Sequence, residues 1–110
     1  MEEKRRGLLL VMIDVDPEDE EELNRWYNEE HIQERASCPG FLTIRRFMSV
    51  KGKPKYLALY ELESPDVLES PQYKHDSLNP TEWTQRIFKR FKASVRNVYV
   101  EITPENTFEE

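Results

Sequence analysis

Residues 7–15 read GLLLVMIDV, with apolar side chains at odd and even positions alike. Successive residues of a β-strand point to opposite faces of a sheet, so a strand built from this stretch must be covered on both sides. One layer of helices covers one side. The stretch therefore predicts a sheet with helices on one face and a second apolar layer on the other.

The flanking sequence supplies the helices. "DPEDEEELNRWYNEEHIQER" (16–35) opens with Asp16 as an N-cap, Pro17 at the first helical position and acids through the first turn, where they complement the helix dipole. A helix over 17–36 is predicted. Its apolar stripe is Leu23, Trp26 and Tyr27, and a four-residue step from Tyr27 lands on His31, which should face the protein shortly before Pro39-Gly40 turns the chain. Residues 40–50 and 55–63, joined by the turn KGKP, predict a β-hairpin. Ser64-Pro65 and Ser70-Pro71 each predict the start of a short helical turn. A second main helix is predicted over 79–91, with Asn79 as its cap, Pro80 at the first helical position and Trp83, Ile87 and Phe91 on one stripe. Residues 93–103 close the series as a strand.

The order β-α-β-β-α-β is the ferredoxin-like α+β arrangement. Alternation assigns Phe41, Thr43, Arg45, Phe47, Tyr56, Ala58, Tyr60, Val95, Asn97 and Tyr99 to one register on the face the helices leave bare. That register is too aromatic to stay in water. A homodimer pairing two sheets face to face is the expected solution, and polar substitution at Tyr56 or Phe47 should disrupt it.

At 110 residues, one domain is expected over 1–110, with a core at about 7–103 and a tail from Pro104 that is mobile or docks on a partner. Acidic residues outnumber basic ones 22 to 16, a formal charge of -6, which argues against a nucleic-acid partner. There is no apolar run near the length of a membrane span and no cleavable leader pattern, so no membrane partner is expected. Cys38 is the only cysteine; it allows no internal disulfide, suits a reducing compartment such as the cytoplasm, and has no adjoining histidine to make it a nucleophile.

Glu22, Trp26-Tyr27, Glu30-His31, Arg35, Pro39-Gly40-Phe41 and Arg46 followed by an aromatic together resemble the EthD-like members of the dimeric α+β barrel superfamily, over roughly residues 7–102. The resemblance implies a dimeric barrel that handles small molecules. Relatives of this fold include cofactor-free polyketide cyclases, quinone-forming monooxygenases, lactone isomerases and haem-handling proteins, so the activity has to be argued from the site. The resemblance also directs attention to "SPQYKHDSL" (70–78), the segment where similar barrel cyclases place a catalytic histidine; the position falls on Tyr73 here, with His75 two residues on in a polar setting.

The candidate catalytic residues are thus His31 and Tyr73. An imidazole in a semi-apolar pocket can act as general base near neutrality; the competing reading is a histidine that only satisfies the helix end. Trp26, Tyr27, Arg45, Tyr56, Tyr60, Asn97 and Tyr99 are the candidate substrate contacts, with the tyrosines and Asn97 suited to a phenol or carbonyl and Arg45 to a carboxylate or enolate. Arg45 is expected to share one end of the cavity with His31, and Arg46, on the opposite register, to pair with Glu30 or Glu34 as scaffold. Three glycines in the whole chain form no phosphate-binding loop, so no nucleotide cofactor is expected. No histidine pair at helical spacing supports a metal, and haem would need His31 or His75 as axial ligand. The expected function is a cofactor-independent cyclase, isomerase or lyase acting on an aromatic or polyketide-like carbonyl compound of secondary or xenobiotic metabolism. A non-catalytic ligand-binding protein and a cofactor-free monooxygenase are the alternatives.

Overall fold

The computed structural model describes residues 5–104, and the rest of the expected tail, 105–110, lies outside them. Strands β1 (Gly7–Asp14), β2 (Phe41–Met48), β3 (Tyr56–Leu62) and β4 (Ala93–Val100) form one antiparallel sheet in the order β2-β3-β1-β4. With the helices between them, this is the ferredoxin-like α+β fold that the element order predicts.

The first helical run covers 17–36 as expected, but it is not uniform. A 3₁₀ turn (Pro17–Asp19) leads into α1 (Glu20–Trp26), a π-helical turn (Tyr27–His31) follows, and α2 (Ile32–Ala36) completes it. Asp16 stands at the N-cap without a capping bond from its side chain; its carboxylate lies 3.4 Å from Lys92 Nζ instead. After β3, Ser64 and Ser70 do cap the turns they precede, each Oγ accepting a backbone N–H at 3.2 Å: from Asp66 for the 3₁₀ turn Pro65–Glu69, and from Tyr73 for α3 (Pro71–Leu78).

The second main helix, α4 (Glu82–Phe88), is shorter than its pattern suggests, and its cap is Thr81 rather than Asn79. Thr81 Oγ1 accepts the Thr84 N–H at 3.1 Å. Asn79 closes α3, donating from Nδ2 to the His75 carbonyl at 2.7 Å. With the Asn79 side chain tied to the end of α3, the hydroxyl of Thr81 takes the capping role and α4 starts after it.

The sheet register corrects the shared face assigned to β2, β3 and β4. β1 pairs Leu9 with Tyr60, Val11 with Ala58 and Ile13 with Tyr56. These residues, with Leu62, are packed under the helices, and all four of β3 are buried. β2 pairs Arg45 with Leu59 and Phe47 with Leu57, so Arg45, Phe47 and Thr43 lie on the opposite, open face, as do Asn97 and Tyr99, paired through β1 to Leu10 and Leu8. Tyr56 and Tyr60 are therefore separated by the sheet from Arg45, Asn97 and Tyr99. Alternation within a strand is legible in sequence, but the phase between strands is set by pairing, and one residue of slip exchanges the faces.

Candidate functional site

Between the helices and the covered face of the sheet lies a cavity of about 430 Å³. Leu9, Val11 and Ile13 of β1 form its apolar floor, Phe88 and Phe91 one wall, and Trp26, Tyr27, His31, Tyr60, Tyr73, Arg35 and Arg96 its aromatic and cationic side.

The π turn assembles the aromatic side. Trp26 and His31 are five residues apart, which in a regular α-helix turns them about 140° away from each other. The wider π turn between them brings both to one face, where the imidazole stacks on the indole at a centroid distance of 4.3 Å and 17° between planes. Tyr27 meets the imidazole edge-on at 5.4 Å and Tyr60 at 6.3 Å. The indole is itself held: Trp26 Nε1 donates to Thr84 Oγ1 at 3.0 Å, and the hydroxyls of Thr84 and Thr81 reach Glu30 Oε2 at 3.2 and 2.7 Å. Glu30 thereby ties the first helical run to the start of α4 rather than pairing with Arg46.

Enclosure decides the state of His31. The residue is 7 % exposed. Desolvation, reinforced by the Arg35 and Arg46 guanidiniums, pushes the imidazole from its usual 6.5 down to about 3, so the ring is neutral throughout the physiological range. Nδ1 is sealed from solvent without a hydrogen-bond partner, 3.6 Å from Glu34 Oε1. His31 lines the cavity, and with Nδ1 sealed Nε2 is the ring nitrogen left to a ligand. Burial also raises the Tyr27 phenol and holds Tyr60 well above its ordinary value, so both are neutral hydroxyls.

Beside the imidazole is a cationic corner. Arg96 Nη2 donates to Tyr73 Oη at 3.0 Å, and the Arg35 guanidinium lies 4.9 Å from the centre of the Tyr73 ring, which stacks on Phe41 at 5.9 Å. Two guanidiniums converging on one phenol suit an anionic or electron-rich ligand group.

Of the sequence candidates, the fold brings His31, Tyr73, Trp26, Tyr27 and Tyr60 to the cavity. It leaves Arg45, Asn97 and Tyr99 on the open face. Tyr56 faces the helices but does not line the cavity, since its hydroxyl donates to Glu20 Oε1 at 2.6 Å. The cation expected beside His31 as Arg45 is supplied by Arg35 and Arg96. Arg46, expected to pair with Glu30 or Glu34, donates instead to Asn24 Oδ1 at 2.9 Å, with its guanidinium 4.0 Å from the centre of the Tyr27 ring. His75 is exposed on α3 and does not line the cavity, so of the two histidines only His31 does. Arg96 had no signal of its own. Alternation within β4 groups it with Ser94 and Val98, and only the pairing of Val11 with Arg96 assigns that group to the helix side.

No protein-family model and no curated protein matches the chain. Solved structures do resemble it. A protein of Bordetella bronchiseptica provisionally named an antibiotic biosynthesis monooxygenase superposes with a TM-score of 0.70 at 12 % identity, over 91 % of this chain and 100 % of that one. A dimeric ferredoxin-like protein from an uncultured marine organism gives 0.69 at 17 % identity, over 93 % and 92 %. The heme-degrader MhuD of Mycobacterium tuberculosis, solved with two hemes in its active site, gives 0.64 at 15 % identity, over 89 % and 97 %. At these identities the likeness establishes the fold, and the EthD-like resemblance is neither added to nor replaced by a matching family.

Proposed function

We propose that this chain is a cofactor-independent enzyme that binds a flat aromatic or polyketide-like carbonyl compound in the helix-side cavity and works by acid–base chemistry. His31 Nε2 accepts a proton from a phenolic, enolic or α-carbonyl position of the ligand. The resulting anion lies against Arg35, Arg96 and the Tyr73 hydroxyl, which stabilise its charge. A base with a pKa near 3 is weak in isolation, but a ligand that develops negative charge in contact with the ring raises that value as the reaction proceeds.

The observation that carries this reading is the neutral imidazole, stacked on Trp26 in the wall of an apolar cavity that Arg35 and Arg96 also line. An isomerase returns the proton to another atom of such an anion, a cyclase lets the anionic carbon bond to a second carbonyl of the same ligand, whose oxygen takes up the proton, and a lyase lets the anion expel a leaving group that takes up the proton. The structural neighbours named as monooxygenases favour a second reading, in which the same anion passes an electron to dioxygen. Dimerisation through the open sheet face completes the proposal, supported by the exposed Phe47, Val95 and Tyr99 there and by the dimeric name of one neighbour.

Turnover of a panel of polycyclic phenols and β-dicarbonyl compounds, followed in an oxygen electrode, tests both readings. Product without oxygen uptake supports acid–base chemistry alone, and stoichiometric uptake supports the monooxygenase. His31→Gln, which keeps hydrogen-bonding capacity and loses the base, should lower turnover by about 10²- to 10⁴-fold with the fold intact; full activity in that variant removes His31 from the chemistry.

A further inference from the structure

We propose that Glu34 sets the tautomer of His31, holding the imidazole proton on Nδ1 so that Nε2 presents a lone pair to the cavity and selects ligands that bring a hydroxyl donor, a phenol or an enol, to that nitrogen. This deepens the acid–base reading of the same site.

An unsatisfied ring nitrogen faces a half-exposed carboxylate across one helical step. His31 Nδ1 is sealed from solvent and bonds to nothing, and Glu34 Oε1 stands 3.6 Å from it, just beyond hydrogen-bond reach. Among the described residues, no other cationic or potentially cationic nitrogen lies within ion-pair distance of the Glu34 carboxylate. Arg35, its chain neighbour, is committed to the Tyr73 ring.

A neutral imidazole carries one proton and one lone pair, and the partner of one nitrogen decides the state of the other. With the lone pair on Nδ1, a carboxylate oxygen and a nitrogen lone pair would confront each other in a poorly solvated setting, where repulsion is weakly screened. With the proton on Nδ1 the same contact becomes attractive, and a small shift of Glu34 closes it into a charge-assisted hydrogen bond. Glu30 and Asp76 add negative potential at Glu34, against the Arg35 guanidinium, which acts in the opposite direction. Burial and Glu30 raise the Glu34 carboxyl above its ordinary value, consistent with a carboxylate short of partners. Glu34 is a positioning residue: it touches the base and not the ligand's reacting atom.

The test is the imidazole ¹⁵N spectrum of the labelled full chain at neutral pH, with His75→Gln assigning the two histidines. Wild-type His31 should show a protonated, pyrrole-type Nδ1 and a pyridine-type Nε2. In Glu34→Leu the ratio of Nδ1–H to Nε2–H should fall at least about tenfold, in line with the loss of a hydrogen bond to a charged group. The Glu34 side chain is 37 % exposed, so the substitution leaves the core packing in place. A pyridine-type Nδ1 in the wild type, or an unchanged spectrum in Glu34→Leu, overturns the proposal. No substrate is needed, so the tautomer result stands apart from whether His31 proves to be a base in turnover.

Discussion

Arg45 and Arg46 are neighbours in β2, and the pleat sends them to opposite faces of the sheet. Arg46 reaches inward, where Asn24 and the Tyr27 ring hold it and burial lowers its pKa. Arg45 lies outward over the exposed ring of Phe47, 5.3 Å from its centre. The rest of each face follows suit. On the covered side Trp26, Tyr60, Ile13 and Leu62 are nearly inaccessible, whereas on the open side Phe47 is 40 % exposed and Tyr99 46 %. Apolar composition is similar on the two faces, so composition does not mark the site. What separates them is enclosure: the helices close over one face, while the concavity on the other, lined by Arg45, Leu59, Glu61 and Tyr99, has no second layer above it among the described residues. The covered face can shape a ligand, and the open face offers a surface to a second copy.

Removing the keystone of the covered face should have the largest effect. Trp26→Ala deletes a fully buried indole, its bond to Thr84 and the plate on which His31 stacks, and should cost about 3–5 kcal/mol in urea unfolding. A loss below about 1 kcal/mol would mean that the helix layer is looser than the packing indicates.

Acid should act next, through His31. The unfolded imidazole takes its proton near pH 6.5 and the folded one only near 3, so below 6.5 the unfolded state binds more protons and stability falls as pH falls. Between pH 7 and pH 5 this single group should remove about 2 kcal/mol. His31→Gln should flatten that part of the pH–stability curve. An equally steep curve in the variant would assign the acid sensitivity to the carboxylates.

The open face should respond least in folding and most in association. Phe47→Asp should change unfolding free energy by no more than about 0.5 kcal/mol, as expected for an exposed position, yet shift the sedimenting species from dimer to monomer. If the wild type itself sediments as a monomer at micromolar concentration, the two faces differ only in cover, and the open one has no partner of its own kind.

The order of elements, the ferredoxin-like fold and the inward turn of His31 were legible from local chemistry. The Asp16-Pro17 start, the Tyr27-to-His31 step, the serine caps and the hairpin are properties of a few adjacent residues, and backbone geometry decides them wherever they occur. The apolar run of β1 likewise predicts cover on both faces, and the helices supply it over Leu9 and Ile13. Three features needed the tertiary structure. The π turn that stacks His31 on Trp26 has no mark of its own in YNEEH, and the indole it serves is held from α4 by Thr84 and Phe88. The phase of β3 against β2, which moved Tyr56 and Tyr60 to the covered face and left Arg45 outside, depends on hydrogen bonds between strands distant in sequence. The meeting of Arg35, from α2, with Arg96, from β4, at one tyrosine joins residues 61 positions apart, and no local pattern encodes a distance across the fold.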